Sequence, residues 1–84
     1  MVRRIVEVLE LPKDLCLGAL NVRMIGQYEA YIENYRSIIE YTPTDIKLQG
    51  KNTRVSICGK NLRIVCFTKD DMKIKGYIVE VKFY

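Results

Sequence analysis

The stretch IKLQGKNTRVSICGKN, residues 46–61, contains two copies of one short pattern. Each copy reads apolar, any residue, apolar, any residue, Gly-Lys-Asn, and the second copy starts nine residues after the first. Apolar residues two apart lie on one side of a β-strand, and Gly and Asn tolerate the positive φ angles of a tight turn. Each copy therefore predicts a strand followed by a reversal of the chain. A partial third copy, MKIKGY at 72–77, keeps the same spacing.

The two-residue alternation extends outward from this stretch and predicts an all-β domain. Strands are expected near 22–25, 28–33, 37–42, 45–49, 53–58, 61–67, 71–75 and 77–83. Strands that recur at this interval are typical of an antiparallel meander, a sandwich or a roll, here with seven or eight short strands. A β-solenoid has a similar interval, but two full copies of the repeat argue against a long one.

The first part of the chain has a different pattern. Apolar residues at helical spacing (Val2, Ile5, Val6, Leu9) predict a short amphipathic helix that ends before Pro12. The 84 residues make one domain at most. We expect an N-terminal helix and connector over 1–21, with the helix covering an end or edge of the sheet, and a β-rich body over 22–84.

Charge is distributed unevenly along the chain. Residues 1–46 carry five basic and seven acidic side chains, whereas residues 47–84 carry nine basic and three acidic ones. In the second half, alternation predicts one apolar set consisting of Val55, Ile57, Leu62, Ile64, Cys66, Met72, Ile74, Val79, Val81 and Phe83. The opposite sheet face is expected to carry Arg54, Arg63, Lys73, Lys75 and Lys82. Its expected partner is an acidic protein segment or anionic lipid headgroups, and the alternative is a solvated face guarded by lysines.

The residues that carry most enzyme chemistry are missing or isolated. The chain has no histidine, its two serines lie in no nucleophile motif, and its glycines form no phosphate-binding loop. The three cysteines include no C-x-x-C pair, so we expect no metal and no cofactor, with Cys58 and Cys66 buried as small apolar residues. The sequence therefore predicts a protein that is not an enzyme, and no apolar run is long enough to suggest a membrane span.

Two binding hypotheses remain: a protein-interaction or assembly module, and a small basic β-barrel that binds RNA or DNA. Nucleic-acid-binding sheets place aromatic side chains among basic ones so that bases can stack. Here Tyr28, Tyr31, Tyr35 and Tyr41 all belong to the acidic half of the sequence. This separation makes nucleic acid the less favoured partner.

Several segments, in order and spacing, resemble the YabP/YqfC family of sporulation proteins: ELPKDL (10–15), MIG (24–26), YIENYRSIIEYT (31–42), GKNLRI (59–64) and IKGYIVEVKF (74–83). The family stretch typically reads Tyr-Ile-Glu-Asn-His-Arg-Gly, and this chain has Tyr35 for the histidine and Ser37 for the glycine. It also has Val22 where proline is common. The resemblance implies a non-catalytic protein of the mother-cell cytoplasm, acting in spore coat or cortex formation. It also implies a membrane-anchored sporulation protein as partner. The basic face, in turn, is expected to place the chain at the periphery of the forespore membrane.

The 31–42 stretch is interpreted as a hairpin without glycine. Asn34 tolerates left-handed φ and can turn the chain, and Glu33 is expected to pair with Arg36 across the turn. One reading is that the segment is only a stable hairpin. The other is a docking site, because tyrosine and arginine are enriched at binding hot spots. The candidate contact residues are Tyr31, Glu33, Asn34, Tyr35 and Arg36. The two edges of the sheet are expected to pair with a second copy or with a partner strand.

Overall fold

A computed structural model describes residues 18–84, which form one antiparallel sheet of six strands. The strands are β1 (Asn21–Ile25), β2 (Glu29–Glu33), β3 (Ser37–Tyr41), β4 (Asp45–Gly50), β5 (Thr53–Phe67) and β6 (Asp71–Phe83). Their order in the sheet is β1-β2-β6-β5-β4-β3. The all-β prediction is confirmed. The predicted N-terminal helix lies outside the described residues.

The predicted number of strands is wrong because two pairs of short strands are continuous. The expected strands 53–58 and 61–67 merge into β5, which has 15 residues. Those at 71–75 and 77–83 merge into β6, which has 13. The first Gly-Lys-Asn, residues 50–52, does reverse the chain between β4 and β5. The second, residues 59–61, bends β5 without ending it.

The bend in β5 results from close contact with β6. Gly59 lies opposite Ile78, and a Cβ atom at Gly59 would overlap the backbone carbonyl of Tyr77. A Cβ atom at Gly76, where φ is 141°, would come within 2.6 Å of the carbonyl oxygen of Asn61. Each long strand therefore needs a glycine where the other bends.

The two bends fold the sheet into two halves. The β3–β4 half contains β3, β4, residues 53–60 of β5 and residues 77–83 of β6. The β1–β2 half contains β1, β2, residues 71–75 of β6 and residues 63–67 of β5. The long strands belong to both halves and join them.

The turn of each short hairpin bonds to one of the bends in the same way. In the β3–β4 turn, the carbonyl of Thr44 accepts a hydrogen bond from Gly59 N at 3.0 Å. In the β1–β2 turn, the carbonyl of Tyr28 accepts one from Gly76 N at 3.1 Å. The halves are thus related by an approximate two-fold repeat. The partial sequence copy at 72–77 marks this repeat, because Gly76 occupies the place in β6 that Gly59 occupies in β5.

The core lies between the two halves and draws on both. Its fully buried large side chains are Ile32, Ile46, Leu48, Val55, Ile57 and Ile74. Each isoleucine buried in this way contributes about 1.5–3 kcal/mol through the hydrophobic effect.

The predicted apolar set is correct except at three positions. Val79 is 64% exposed, because a register shift between Cys58 and Gly59 leaves it without a partner on β5 and places Ile78 in the core instead. Phe83, at the end of β6, is 51% exposed. Cys66 lies at the third register shift between β5 and β6, and it is exposed rather than buried.

Candidate interaction surface

The segment around Asn34 connects two strands that are far apart in the sheet. Three strands, β6, β5 and β4, separate β2 from β3. The hairpin interpretation of residues 31–42 is therefore wrong. The segment instead carries the chain from the β1–β2 half to the β3–β4 half.

Tyr35 anchors this crossing. Its side chain is only 8% exposed, and its hydroxyl donates a hydrogen bond to the carbonyl of Thr68 at 2.7 Å. The backbone N–H groups of Asn34 and Tyr35 both donate to the carbonyl of Asp70, at 2.7 and 3.2 Å. On the other side, Arg36 N donates to the carbonyl of Gln49 at 2.7 Å. The Tyr35 side chain is thus held inside the fold, and its predicted role in docking stays a prediction.

The other candidate contact residues are distributed around the crossing. Asn34 adopts the predicted left-handed conformation, with φ at 67°, and its amide donates to the carbonyl of Ala19 at 3.0 Å. The Glu33 carboxylate accepts a hydrogen bond from Asn21 at 2.9 Å. Among the ion pairs of residues 18–84 there is none between Glu33 and Arg36, so the expected pair does not form. A docking role for the exposed members of this group stays a prediction.

The five basic residues expected on one face are divided by the fold. Arg63, Lys73 and Lys75 lie on the outer side of the β1–β2 half, opposite the core residues of β5 and β6. Arg54 and Lys82 lie on the outer side of the β3–β4 half. All five therefore lie on the predicted side of the sheet, opposite the core, in two groups along it.

Tyr31 is surrounded by charged neighbours on the outer side of the β1–β2 half. Arg23 on β1 and Lys73 on β6 are its cross-strand partners, and their charged ends lie 5.0 and 5.3 Å from its ring centre. Glu29 lies 3.9 Å from the ammonium of Lys73 and 3.6 Å from that of Lys75. The pKa of Lys73 is raised, mainly by the Tyr31 side chain and to a smaller extent by the Glu29 carboxylate. Lys73 therefore keeps its positive charge.

A second aromatic site lies at the bend of the same half. The rings of Tyr28 and Tyr77 are 5.7 Å apart and inclined by 51°. With Arg63 and Lys75 they line an open cavity of about 400 Å³. Sequence reasoning missed this pair. The available signal was that each tyrosine closely follows a glycine at a bend or turn, Gly26 or Gly76.

Another cavity of about 400 Å³ lies beside Tyr31, near the β5–β6 turn. Its lining includes Met72, Lys73, Cys66 and Phe67, and Phe67 is 67% exposed. Glu33 and Asp71 also line it, so the cavity combines an apolar floor with side chains of both charges, and the apolar floor suits an apolar side chain of a partner.

The two described cysteines have different surroundings. Cys66 is exposed, whereas Cys58 is partly buried and donates to a carboxylate oxygen of Asp45 at 3.2 Å. The nearby Ser56 hydroxyl lowers the pKa of Cys58, but the Asp45 carboxylate and burial outweigh it and raise the pKa above its ordinary value. Both differ from the expected fully buried thiols.

The two edge strands carry exposed apolar side chains. On β3, Ile38, Ile39 and Tyr41 are 43%, 48% and 50% exposed, and on β1, Met24 and Ile25 are 38% and 49% exposed. Ile39 lies at a register shift and has no partner on β4, so the bulge turns it outward.

Within residues 18–84, no three histidine, cysteine or carboxylate side chains are close enough together to hold a metal ion. The part of the chain that the structure describes contains no helix long and apolar enough to cross a membrane.

Comparison with known proteins found one family and one curated relative. The model of the YabP family matches residues 18–84. The chain is 28% identical, over 75 residues, to a protein of Bacillus subtilis (strain 168) described as "Uncharacterized protein YqfC". That alignment covers 89% of this chain and 81% of the relative. No solved structure was found to match.

Proposed function

The chain belongs to the YabP family, and on that basis we propose that it is a non-enzymatic sporulation protein that works by assembly. It acts in the mother cell as an interaction module in coat or cortex formation. Membership in the family and the resemblance to YqfC support the sporulation role. The exposed edge of β3 supports the assembly role.

The β3 edge has the properties of a pairing strand. Its outward backbone groups have no strand partner in the sheet, because β3 is the last strand in the order. Natural edges are usually protected by lysine, proline or an inward charge. Residues 37–41 contain neither lysine nor proline. Their one charge, Glu40, is engaged by Lys47 on β4 at 3.5 Å.

The partner proposed for this edge is a second copy of the chain. Two β3 strands can pair antiparallel with Ile39 of one copy opposite Ile39 of the other. Each Glu40 then faces Ile38 of the other copy, so no like charges lie opposite each other. The isoleucines add apolar area to the backbone hydrogen bonds. A two-fold dimer closes on itself, which is the commonest symmetry of soluble oligomers.

Light scattering on wild type and on two lysine variants tests the assembly. Ile39→Lys places a charge on the proposed interface, and Val79→Lys places the same charge at an exposed apolar site on an inner strand. We expect a dimer for wild type and Val79→Lys, a monomer for Ile39→Lys, and similar melting temperatures for all three. A wild-type protein that stays monomeric at high micromolar concentration contradicts the proposal.

The cellular role is tested by a fluorescent fusion produced from the native promoter in the spore-forming host. We expect fluorescence in the mother-cell compartment during sporulation. Fluorescence confined to the forespore, or in vegetative cells only, contradicts the mother-cell role.

A further inference from the structure

The outer side of the β1–β2 half, together with the adjoining bend of β6, carries three tyrosines close to basic side chains, and we infer that this surface binds single-stranded nucleic acid. We call it the tyrosine patch, consisting of Tyr28, Tyr31, Tyr77, Arg63, Lys73 and Lys75. This inference goes beyond the proposed assembly, which uses the edge of β3.

Folding brings together residues that the sequence keeps apart. Tyr28 and Tyr31 belong to the acidic part of the chain, and the cations belong to the basic part. Because β2 pairs with β6, Tyr31 lies directly opposite Lys73, and Glu29, next to Tyr28, lies opposite Lys75. The separation of aromatic and basic residues that argued against nucleic acid therefore does not exist in the folded protein.

The aromatic part of the patch is accessible. Tyr28 is 62% exposed and Tyr77 is 39% exposed, although the two rings contact each other. A base that stacks on an exposed aromatic ring contributes about 1–3 kcal/mol and requires no particular sequence. The cavity beside the two rings provides room for a base next to Arg63.

The charges of the patch favour a polyanion. Arg63 forms no salt bridge within the described residues, and Lys73 and Lys75 share a single carboxylate, that of Glu29. With Arg23, which lies over Tyr31, the outer side of this half has four positive charges against the three carboxylates of Glu29, Glu33 and Asp71, and Arg63 is the cation next to the cavity. A backbone of phosphates can contact these cations while its bases reach the tyrosines.

The outer side of the β3–β4 half provides an internal comparison. It also carries exposed cations, Arg54 and Lys82, and one tyrosine, Tyr84. However, the guanidinium of Arg54 donates to Gln49 at 2.9 Å, and the carboxylates of Asp45 and Glu80 lie on the same side. This side has similar basic residues without a pair of tyrosine rings.

The test measures binding by fluorescence anisotropy, with labelled oligouridylate and oligothymidylate of twelve nucleotides, at several salt concentrations. If all three cations contact phosphates, the logarithm of the binding constant should fall against that of salt with a slope of about −2. Tyr28→Ala and Tyr77→Ala should each weaken binding about fivefold or more and leave the slope unchanged. Arg63→Glu with Lys75→Glu should weaken binding and make the slope shallower.

The matched control is Arg54→Glu with Lys82→Glu, which makes the same charge change on the other half. We expect it to alter the affinity by less than twofold. Equal losses in both charge-reversed variants, or unchanged binding by the tyrosine variants, overturn the inference. The inference is also overturned if the oligonucleotides do not bind to the wild-type protein.

Two other polyanions serve as competing partners in the same assay. If a labelled polyglutamate peptide binds more tightly than the oligonucleotides, the partner is an acidic protein. If vesicles of phosphatidylglycerol bind more tightly, the partner is a membrane. Repeating the measurement on Ile39→Lys separates the two proposals, because that variant lacks the assembly edge and keeps the tyrosine patch.

Discussion

At the scale of single residues, identical types perform different tasks according to their surroundings. Tyr35 is buried and bonded to Thr68, whereas Tyr28 is mostly exposed beside Tyr77. Cys58 donates to a carboxylate, whereas Cys66 faces solvent. Residue type alone therefore did not separate structural side chains from those that are available to a partner.

The cysteines give a direct test at this scale. The raised pKa and partial burial of Cys58 leave little reactive thiolate near neutral pH. In a Cys16→Ser background, we expect Cys66 to react with Ellman's reagent at pH 8 at least about tenfold faster than Cys58. Comparison of Cys58→Ser with Cys66→Ser assigns the two rates. Faster reaction at Cys58 contradicts the described environment.

At the scale of secondary-structure elements, the same Gly-Lys-Asn sequence has two outcomes. After β4 it forms a turn, and inside β5 it forms a bend held by the turn of the β3–β4 hairpin. The local sequence permits both conformations. Contact with the backbone of β6 decides between them.

Substitution of Gly59 tests this explanation of the bend. In Gly59→Ala, the new methyl group would overlap the carbonyl of Tyr77, so β5 and β6 must move apart. We expect the free energy of unfolding to fall by about 3 kcal/mol, measured by urea titration. Gly26→Ala is the control, because nothing lies within 4 Å of that site and only its φ of 60° is strained. Its expected cost is about 1 kcal/mol, and equal losses in the two variants contradict the close-contact explanation.

At the scale of the whole molecule, two long strands join halves that share one core. Neither half has its own complete set of core residues, since Ile46 and Ile74 belong to the same cluster. The crossing at Tyr35 adds a third connection between the halves. The molecule is therefore expected to unfold as one unit.

Core substitutions in the two halves test this cooperativity. Ile46→Val and Ile74→Val should each lower the free energy of unfolding by about 0.5–1.5 kcal/mol while keeping a single transition. Circular dichroism and tyrosine fluorescence should follow the same curve in urea. Two separate transitions, or a variant that shifts only one of the signals, contradict the shared core.

The sequence alone determined the β class, the strand positions and most of the core, because side-chain alternation is a local property of a strand. It also determined the left-handed turn at Asn34 and marked the repeat at Gly59 and Gly76. Only the tertiary structure decided that β5 and β6 are continuous, that residues 34–36 cross between halves, and that tyrosines lie beside lysines. These features depend on which distant strands pair, and a local pattern of apolar residues carries no information about the partner of each strand.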